Sequence, residues 1–353
     1  MVAAKRFLSG VIEGFYGRPW CVDTRLAYAD YLAQMGLNTY LYCPKADPWL
    51  RRRWQEAWPA QQWRQLVQLA ERCRAAGIHW GVGLSPFELY RDYGAVQRGQ
   101  LRAKLECIAQ LRAPLLAILF DDMPGDLDAL AARQAEIVAD VCHWLPQVRV
   151  LVCPTYYSFV PVLERFFGPR PREYWPQLGR DLPESVDVFW TGNAVCSQSV
   201  AASDIAAIRD LLGRTVVLWD NYPVNDGATR SNFLYLEPLS RRDPELRAQL
   251  GGHLCNPMNQ ALLSLPALAG LATLYGRKAC SDRWFDDVLG APTWAQLQVD
   301  RELFQRVGLS ALEDAGRRGQ LARVYARLPG AAAREVAGWL AGEYTFDPQC
   351  LTD

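Results

Sequence analysis

The stretch Leu115-Leu-Ala-Ile-Leu-Phe-Asp-Asp122 is the starting point for assigning a fold to this chain. Its apolar run predicts a buried β-strand, and the strand ends abruptly at two adjacent carboxylates. Charged groups at the end of an apolar strand are costly unless they are paired or used in chemistry. Two like charges side by side also favour a state in which one carboxyl is protonated and its neighbour ionised, as acid–base chemistry on a sugar requires. Taken alone, the pair fits a helix cap or an arginine partner better than a catalytic site.

Strand-like runs of this kind recur along the chain and alternate with helical patterns. We count eight runs, at residues 7–15, 39–43, 79–84, 115–120, 148–153, 186–191, 215–219 and 253–255. Helical periodicity is found between them, at residues 23–35, 61–76, 94–111, 127–145, 203–212 and 261–275. Because strand–helix alternation implies parallel strands with right-handed crossovers, the pattern predicts an α/β fold of the (β/α)8 TIM-barrel type. A doubly wound open sheet is the alternative, but residues 14–17 lack the glycine spacing of a nucleotide-binding turn.

The end of the chain has a different pattern from the rest. Ala and Arg are frequent from about residue 291 onward, and residues 294–307 and 321–328 have helical periodicity. We therefore predict two regions, a catalytic barrel over residues 1–288 and a short C-terminal helical segment over residues 289–353.

Composition argues against several classes of function. Lys+Arg and Asp+Glu both total 38, so the net charge is zero and gives no general attraction to nucleic acid or to an anionic membrane. The short arginine clusters at residues 51–53 and 241–242 are interpreted as solvent-exposed faces. No apolar run is long enough to cross a membrane, and residues 1–5 lead into the first strand without the apolar stretch of a signal peptide.

Cysteine and histidine usage bears on metal sites and on location. The ten cysteines form no C-x-x-C pair and there are only three histidines, so we predict no metal site and no cofactor. Cysteines inside strand patterns, such as Cys43, Cys153 and Cys255, behave as small hydrophobic residues. We interpret the set as reduced thiols of a cytoplasmic protein.

Polar or special residues follow every predicted strand. They lie at residues 13–20, 44–47, 85–86, 121–122, 154–157, 192–193, 219–226 and 256–257. In a barrel these strand ends meet at one rim, where barrel enzymes place their chemistry, so the set predicts a common polar mouth. His253 is the only histidine near this rim, and we expect it to be a packed side chain rather than a nucleophile's base or a metal ligand.

The same segments resemble glycoside hydrolase family 84, the β-N-acetylglucosaminidases that include protein O-GlcNAcases. The matching pieces cover roughly residues 7–275 in the family's order and are Val11-Ile-Glu-Gly-Phe-Tyr-Gly-Arg-Pro-Trp20, Leu37-Asn-Thr-Tyr-Leu-Tyr-Cys-Pro-Lys45, Phe120-Asp-Asp122, Cys153-Pro-Thr155, Trp190-Thr-Gly192, Trp219-Asp-Asn221, Asn225-Asp226 and Asn256-Pro257. The resemblance implies a retaining enzyme that uses the acetamido group of its substrate as the nucleophile, an exception to the usual carboxylate nucleophile.

The resemblance also implies a role for individual residues. Asp121 matches the carboxylate that orients and polarises the acetamido N–H, and Asp122 matches the general acid that later acts as the base. The other matches are to substrate-binding groups, namely Tyr157 near the acetamido oxygen, Gly14 through its backbone, Lys45, Asp226 and Asn256 at the sugar hydroxyls, and Asn221 and Trp219 around the acetamido pocket.

Local alternatives remain open for four of these assignments. Lys45 could form a salt bridge with Asp47, Asp226 could cap a turn, and Asn256 before a proline could simply end a strand. The tyrosine match depends on an ungapped alignment, in which Tyr156 is the alternative to Tyr157.

Three functions are therefore compared. The first is an exo-acting β-N-acetylglucosaminidase that removes GlcNAc from a GlcNAc-bearing substrate, including Ser or Thr of a glycosylated protein. The second is a hydrolase of a GlcNAc-containing polysaccharide or glycoconjugate, and the third is a sugar-binding barrel without catalysis. Retention of both Asp121 and Asp122 argues against the third, because a lectin would be free to lose either one.

Overall fold

The computed structural model describes residues 5–352, and within this range eight parallel strands form one closed barrel. The strands are Leu8–Glu13 (β1), Thr39–Tyr42 (β2), His79–Leu84 (β3), Leu115–Leu119 (β4), Arg149–Cys153 (β5), Asp187–Trp190 (β6), Val216–Asp220 (β7) and Leu250–Cys255 (β8). Each strand pairs with the next along the chain, and β1 closes the barrel on β8. The predicted (β/α)8 barrel is confirmed and the open-sheet alternative is wrong. The prediction for residues 1–5 falls, apart from Lys5, outside the described residues.

Helices cover the outside of the barrel. Those that connect the strands or follow β8 are Val22–Gln34 (α1), Ala60–Ala75 (α2), Ala95–Ala109 (α3), Leu130–Trp144 (α4), Val162–Phe167 (α5), Tyr174–Asp181 (α6), Ala202–Leu212 (α7), Leu246–Gln249 (α8) and Leu265–Leu274 (α9). The later ones are Asp282–Phe285 (α10), Ala291–Glu302 (α11), Gly308–Asp314 (α12), Arg318–Arg327 (α13) and Ala331–Ala341 (α14). Among the described residues, none of these helices is both long and apolar enough to span a bilayer.

The differences from the predicted elements have local causes. Strand β8 begins at Leu250, three residues before the predicted start at residue 253. The prediction began too late because glycines at 251 and 252 are poor strand formers and hide the strand pattern. Gly252 is nevertheless required there, since a β-carbon at this position would overlap Leu8 of the neighbouring strand. Helices α5, α6 and α8 were not predicted because each is too short to show a helical period.

The C-terminal helices are anchored to the barrel at the loop that follows β8. The carboxylate of Glu335 on α14 accepts hydrogen bonds from the backbone N–H groups of Leu262 (3.0 Å) and Leu263 (3.2 Å). Burial of this carboxylate raises the pKa of Glu335 to about 7. On the same helix, the Trp339 indole N–H donates to the Ser231 carbonyl at 3.1 Å, so α14 is tied to the barrel at two places.

Candidate active site

A cavity opens at the rim where the carboxyl ends of the strands meet. The space between its walls, including the part that is open to solvent, is about 500 Å³. Every site residue proposed from the sequence lines this cavity, namely Gly14, Lys45, Asp121, Asp122, Tyr157, Trp219, Asn221, Asp226 and Asn256. They lie at the carboxyl ends of six different strands or in the segments that follow, so the barrel closure brings them together.

The two adjacent carboxylates face the same cavity because the backbone turns sharply after β4. The φ angle of Asp122 is 56°, in the left-handed region that residues other than glycine seldom adopt. This turn breaks the strand alternation that would otherwise send neighbouring side chains to opposite faces. Backbone strain of this type is concentrated at functional sites. The sequence-based expectation that both side chains share one mouth is therefore met by a specific backbone conformation.

Within the described part of the chain, one oxygen of Asp121 is paired and the other has no hydrogen-bond partner. Its Oδ2 accepts a hydrogen bond from the Lys45 ammonium, whose side chain is only 2% exposed. Burial disfavours the charged form of Lys45, but the carboxylates of Asp121 and Asp122 outweigh it and raise the lysine pKa. The Asp121 Oδ1 atom is buried and accepts no hydrogen bond from any of residues 5–352. A buried carboxylate oxygen without a partner calls for a donor, and here the cavity is where a ligand would supply it.

Asp122 is held by two phenols. Tyr16 donates to Asp122 Oδ2 at 2.7 Å and Tyr157 donates to Asp122 Oδ1 at 3.0 Å. Burial, and then the charge of Asp122, raise the pKa of both phenols well above the usual value, so both remain protonated donors. The alternative residue Tyr156 instead donates to the Gly168 carbonyl at 2.8 Å and does not line the cavity. The structure thus favours Tyr157 for the position matched from the sequence.

The opposite wall is a chain of hydrogen bonds through four of the matched residues. The Gly14 N–H donates to Asn256 Oδ1 at 3.2 Å, and Asn256 Nδ2 donates to Asn221 Oδ1 at 2.9 Å. Trp219 Nε1 donates to the same Asn221 oxygen at 3.0 Å. A β-carbon on Gly14 would overlap the Trp219 ring, which explains why glycine is needed after β1. The chain links the ends of β1, β7 and β8 into one surface.

Asp226 lies where this wall meets the C-terminal tail. Its Oδ2 accepts the Tyr16 N–H at 2.7 Å, and burial raises the pKa of Asp226 to about 6. The Cys350 thiol lies 3.9 Å from Asp226 Oδ1, and the Thr352 hydroxyl lies 3.5 Å from the Tyr157 hydroxyl. Residues far beyond the barrel strands therefore contribute to the cavity, which the sequence did not predict.

Two contacts at the cavity were missed because no pattern in the sequence distinguishes the residues that make them. Tyr16 belongs to the first matching motif, residues 11–20, but no role was assigned to it, although its position just after β1 places it at the rim. Arg51 was interpreted as part of an exposed cluster, and this is wrong. It is only 6% exposed and donates to Ser85 Oγ and to the Asp122 carbonyl, each at 2.9 Å. Three consecutive arginines give no pattern that separates the buried one from its exposed neighbours.

The second arginine cluster was also wrongly interpreted as exposed. Arg242 is buried and makes two hydrogen bonds to the Asp220 carboxylate, at 2.7 and 2.8 Å. Although burial favours the protonated acid, Arg242 lowers the pKa of Asp220 to about 2. His253, expected to be a packed side chain, lies between Asp220 (2.9 Å) and the Tyr275 hydroxyl (2.8 Å). Asp220, His253 and Cys255 lie close together, but the arginine already neutralises the only carboxylate among them.

The proposed local partner of Lys45 is also corrected. Asp47 does not pair with Lys45, which is bound to Asp121. Instead, Asp47 accepts hydrogen bonds from three side chains, those of Tyr42, Trp58 and Gln62. Its carboxylate is therefore satisfied away from the cavity.

Adjacent carboxylates lie at the carboxyl rim of a closed (β/α)8 barrel, one with a vacant oxygen and the other bound by two phenols, and paired carboxylates are the groups that glycoside hydrolysis uses. The family model for beta-N-acetylglucosaminidases matches residues 9–283, most of the chain. The chain belongs to this family, and the resemblance found in its motifs is confirmed.

Individual relatives agree with the family assignment. The chain is 31% identical over 283 residues to the protein O-GlcNAcases of Mus musculus and Rattus norvegicus, an alignment that covers 77% of this chain and 30% of each relative. It thus spans less than a third of the length of these relatives. Among solved structures, a mutant of the O-GlcNAc hydrolase of Thermobaculum terrenum superposes with a TM-score of 0.78 at 26% identity. That match covers 96% of this chain and 81% of the other.

Proposed function

We propose that this chain is a retaining exo-β-N-acetylglucosaminidase that works through the 2-acetamido group of its substrate and removes O-linked GlcNAc from Ser or Thr of proteins. The observation that carries the proposal is the buried, unpartnered Oδ1 of Asp121 next to a second carboxylate in the same cavity. A lone acceptor oxygen fits an amide N–H, and an adjacent carboxyl fits a glycosidic oxygen. The similar proteins are O-GlcNAcases and an O-GlcNAc hydrolase, which supports the choice of substrate.

In the first step, Asp121 Oδ1 accepts a hydrogen bond from the acetamido N–H and so orients the acetamido oxygen toward the anomeric carbon. That oxygen forms a bond to the anomeric carbon as the glycosidic C–O bond breaks. Asp122 enters this step protonated and transfers its proton to the leaving oxygen. The product is a cyclic oxazolinium ion, whose positive charge the Asp121 carboxylate stabilises electrostatically inside a water-poor cavity.

In the second step, a water molecule attacks the anomeric carbon and Asp122, now ionised, takes the proton from that water. The bond between the anomeric carbon and the acetamido oxygen breaks, which regenerates the acetamido group. Two inversions at the same carbon give retention of configuration. Tyr16 and Tyr157, which each bind one oxygen of Asp122, keep its carboxyl in place through both steps.

The remaining cavity residues bind the sugar. Lys45, Asp226 and Asn256 hold the sugar hydroxyls, and the Gly14 backbone contacts the ring. Asn221 and Trp219 enclose the acetamido group. A concave site at the barrel rim with these groups on its walls supports an exo-acting enzyme that takes one terminal sugar.

We further propose that residues 1–288 form the catalytic unit and residues 289–353 an appendage that braces it. The contacts of Glu335 with the loop after β8 support this division. We also propose that the enzyme works in the cytoplasm. The barrel-strand cysteines Cys153 and Cys255, and Cys43 just after β2, are buried thiols, which fits a reducing compartment.

The test is hydrolysis of an aryl β-N-acetylglucosaminide followed by NMR of the first sugar released. We expect the β-anomer to appear first and the corresponding β-glucoside, which lacks the acetamido group, to remain intact. Release of the α-anomer, or equal cleavage of the glucoside, would exclude the mechanism. A GlcNAc-serine glycopeptide assayed beside chitin oligosaccharides tests the substrate, and faster cleavage of the oligosaccharides would favour a polysaccharide hydrolase.

A further inference from the structure

Arg51 connects the segments that follow three neighbouring strands. It lies after a short 3-10 turn (Pro48–Leu50) that follows β2, and its side chain points into the protein. One guanidinium nitrogen donates to Ser85 Oγ after β3, and another donates to the Asp122 carbonyl after β4, both at 2.9 Å. The guanidinium also lies 5.1 Å from the centre of the Phe87 ring, which limits its movement on one side.

The carbonyl that Arg51 binds belongs to the residue with the unusual backbone. With φ at 56°, Asp122 is in the left-handed region, which is less favourable than the right-handed one for a residue with a β-carbon, although aspartate tolerates it better than most. The direction of a side chain is set by the backbone of its own residue, so a rotation of this peptide would move the carboxyl away from the leaving oxygen. Of the hydrogen bonds to Asp122, the two phenols hold the carboxyl and Arg51 holds the backbone carbonyl.

We propose that Arg51 is a positioning residue for the proton donor, which holds the left-handed turn at Asp122 so that its carboxyl faces the glycosidic oxygen. The inference rests on the proposed function of Asp122 as the general acid. Arg51 itself does not touch the substrate in this scheme, since its guanidinium is engaged with Ser85 and the Asp122 backbone. A fixed, two-pronged planar cation suits this task better than a flexible ammonium group.

The proposal predicts a defect confined to proton transfer. In Arg51→Met, kcat for phenyl β-N-acetylglucosaminide should fall by about 100-fold, the size of effect seen when a catalytic group is misplaced by about 1 Å. A dinitrophenyl leaving group needs little protonation, so its kcat should change by no more than about threefold. Affinity for a thiazoline inhibitor, which fills the sugar site and has no leaving group, should also stay within about threefold of wild type.

Matched variants separate positioning from a general structural effect. Arg53→Met removes a neighbouring arginine that is exposed and pairs with Glu56, and it should behave as wild type on both substrates. Arg51→Lys keeps a charge but can reach only one of the two acceptors, so it should recover part of the lost rate. If Arg51→Met does not fold, Ser85→Ala removes one guanidinium partner and should show a smaller loss, about tenfold, again confined to the phenyl substrate.

The outcomes are distinguishable. A selective loss on the phenyl substrate with normal inhibitor binding supports the positioning role. Equal losses on both substrates, weakened inhibitor binding, or no loss on the phenyl substrate would overturn it. If the wild-type enzyme itself releases no phenol from either substrate, the proposed function fails rather than the role of Arg51.

Discussion

The vacant oxygen of Asp121 makes Asp121→Asn the most informative substitution in this protein. In the wild type, one carboxylate oxygen binds the Lys45 ammonium and the other is left for the acetamido N–H. An asparagine amide has a single acceptor oxygen. It can serve either the lysine or the substrate, and its NH2 group must then face the other donor.

The expected loss follows from these two contacts. A hydrogen bond to a charged group contributes about 1.5–3 kcal/mol, and this is lost on one side of the asparagine. On that side the NH2 group also faces another donor, either the Lys45 ammonium or the acetamido N–H, which weakens the site further. We therefore expect the transition state to lose about 3–4 kcal/mol, which corresponds to a fall in kcat/KM of about 10²–10³-fold. Because the oxazoline must form whatever the leaving group is, the loss should be similar for phenyl and dinitrophenyl substrates.

The assay is steady-state hydrolysis of both substrates, with thermal unfolding as a check because the substitution also leaves the Lys45 cation with a weaker partner. Asp140→Asn is a suitable control. Asp140 lies on α4, away from the cavity, and its largely buried carboxylate binds Tyr93 and Arg98. The kcat/KM of this variant should stay within about twofold of wild type. A rate for Asp121→Asn within about threefold of wild type would refute the assigned role of this carboxylate.

Four other changes test separate parts of the structure. Asp122→Ala should lower kcat/KM for the phenyl substrate by about 10³-fold and for the dinitrophenyl substrate far less, and equal losses would exclude its role as the acid. Gly14→Ala should displace the Trp219 ring and lower the free energy of unfolding by about 1–3 kcal/mol. It should also weaken thiazoline binding measured by calorimetry, and unchanged affinity would contradict the close packing of Gly14 on Trp219. Since burial raises the pKa of Glu335 from 4.5 to about 7, its contribution to stability is present below pH 4.5 and is lost as the pH rises through 7. Between pH 5 and pH 8 the Tm should fall less for Glu335→Gln than for wild type. Equal falls in Tm would rule out Glu335 as the cause of the pH dependence. Removal of residues 347–353 should lower KM by about three- to tenfold, because the sugar no longer has to displace the tail from the cavity; an unchanged or higher KM would argue against the tail as an obstacle.

The barrel was predictable because its signal is local and repeated. Each strand is an apolar run followed by polar residues, and the run at 79–84 coincides with β3 as observed. Errors fall at the ends, where Gly14 and Phe15 leave the strand and Gly251 and Gly252 enter it. Propensity does not decide such positions, because the contacts of a neighbouring strand override it. Short helices such as α5 were not predicted because fewer than two turns show too few residues to reveal a helical period.

The convergence of the matched residues was predictable, since all of them line one cavity. What the sequence could not supply was the partner of each side chain. Lys45 lies two residues from Asp47 and 76 residues from Asp121, yet it binds Asp121. Local proximity is a poor guide when the strand ends of a barrel converge, because the rim places residues from distant parts of the chain within hydrogen-bond distance.

The amino-acid order by itself determined the strand and helix alternation, and with it the barrel and the adjacent carboxylates at its rim, because these depend on hydrophobic period and on neighbours along the chain. Only the tertiary structure decided that Tyr16 holds Asp122, that Arg51 is buried while Arg53 is exposed, and that Thr352 reaches the cavity. These contacts join residues up to 195 positions apart. Their energies depend on burial and on the groups that face them across the barrel mouth, and neither quantity exists until the chain has closed.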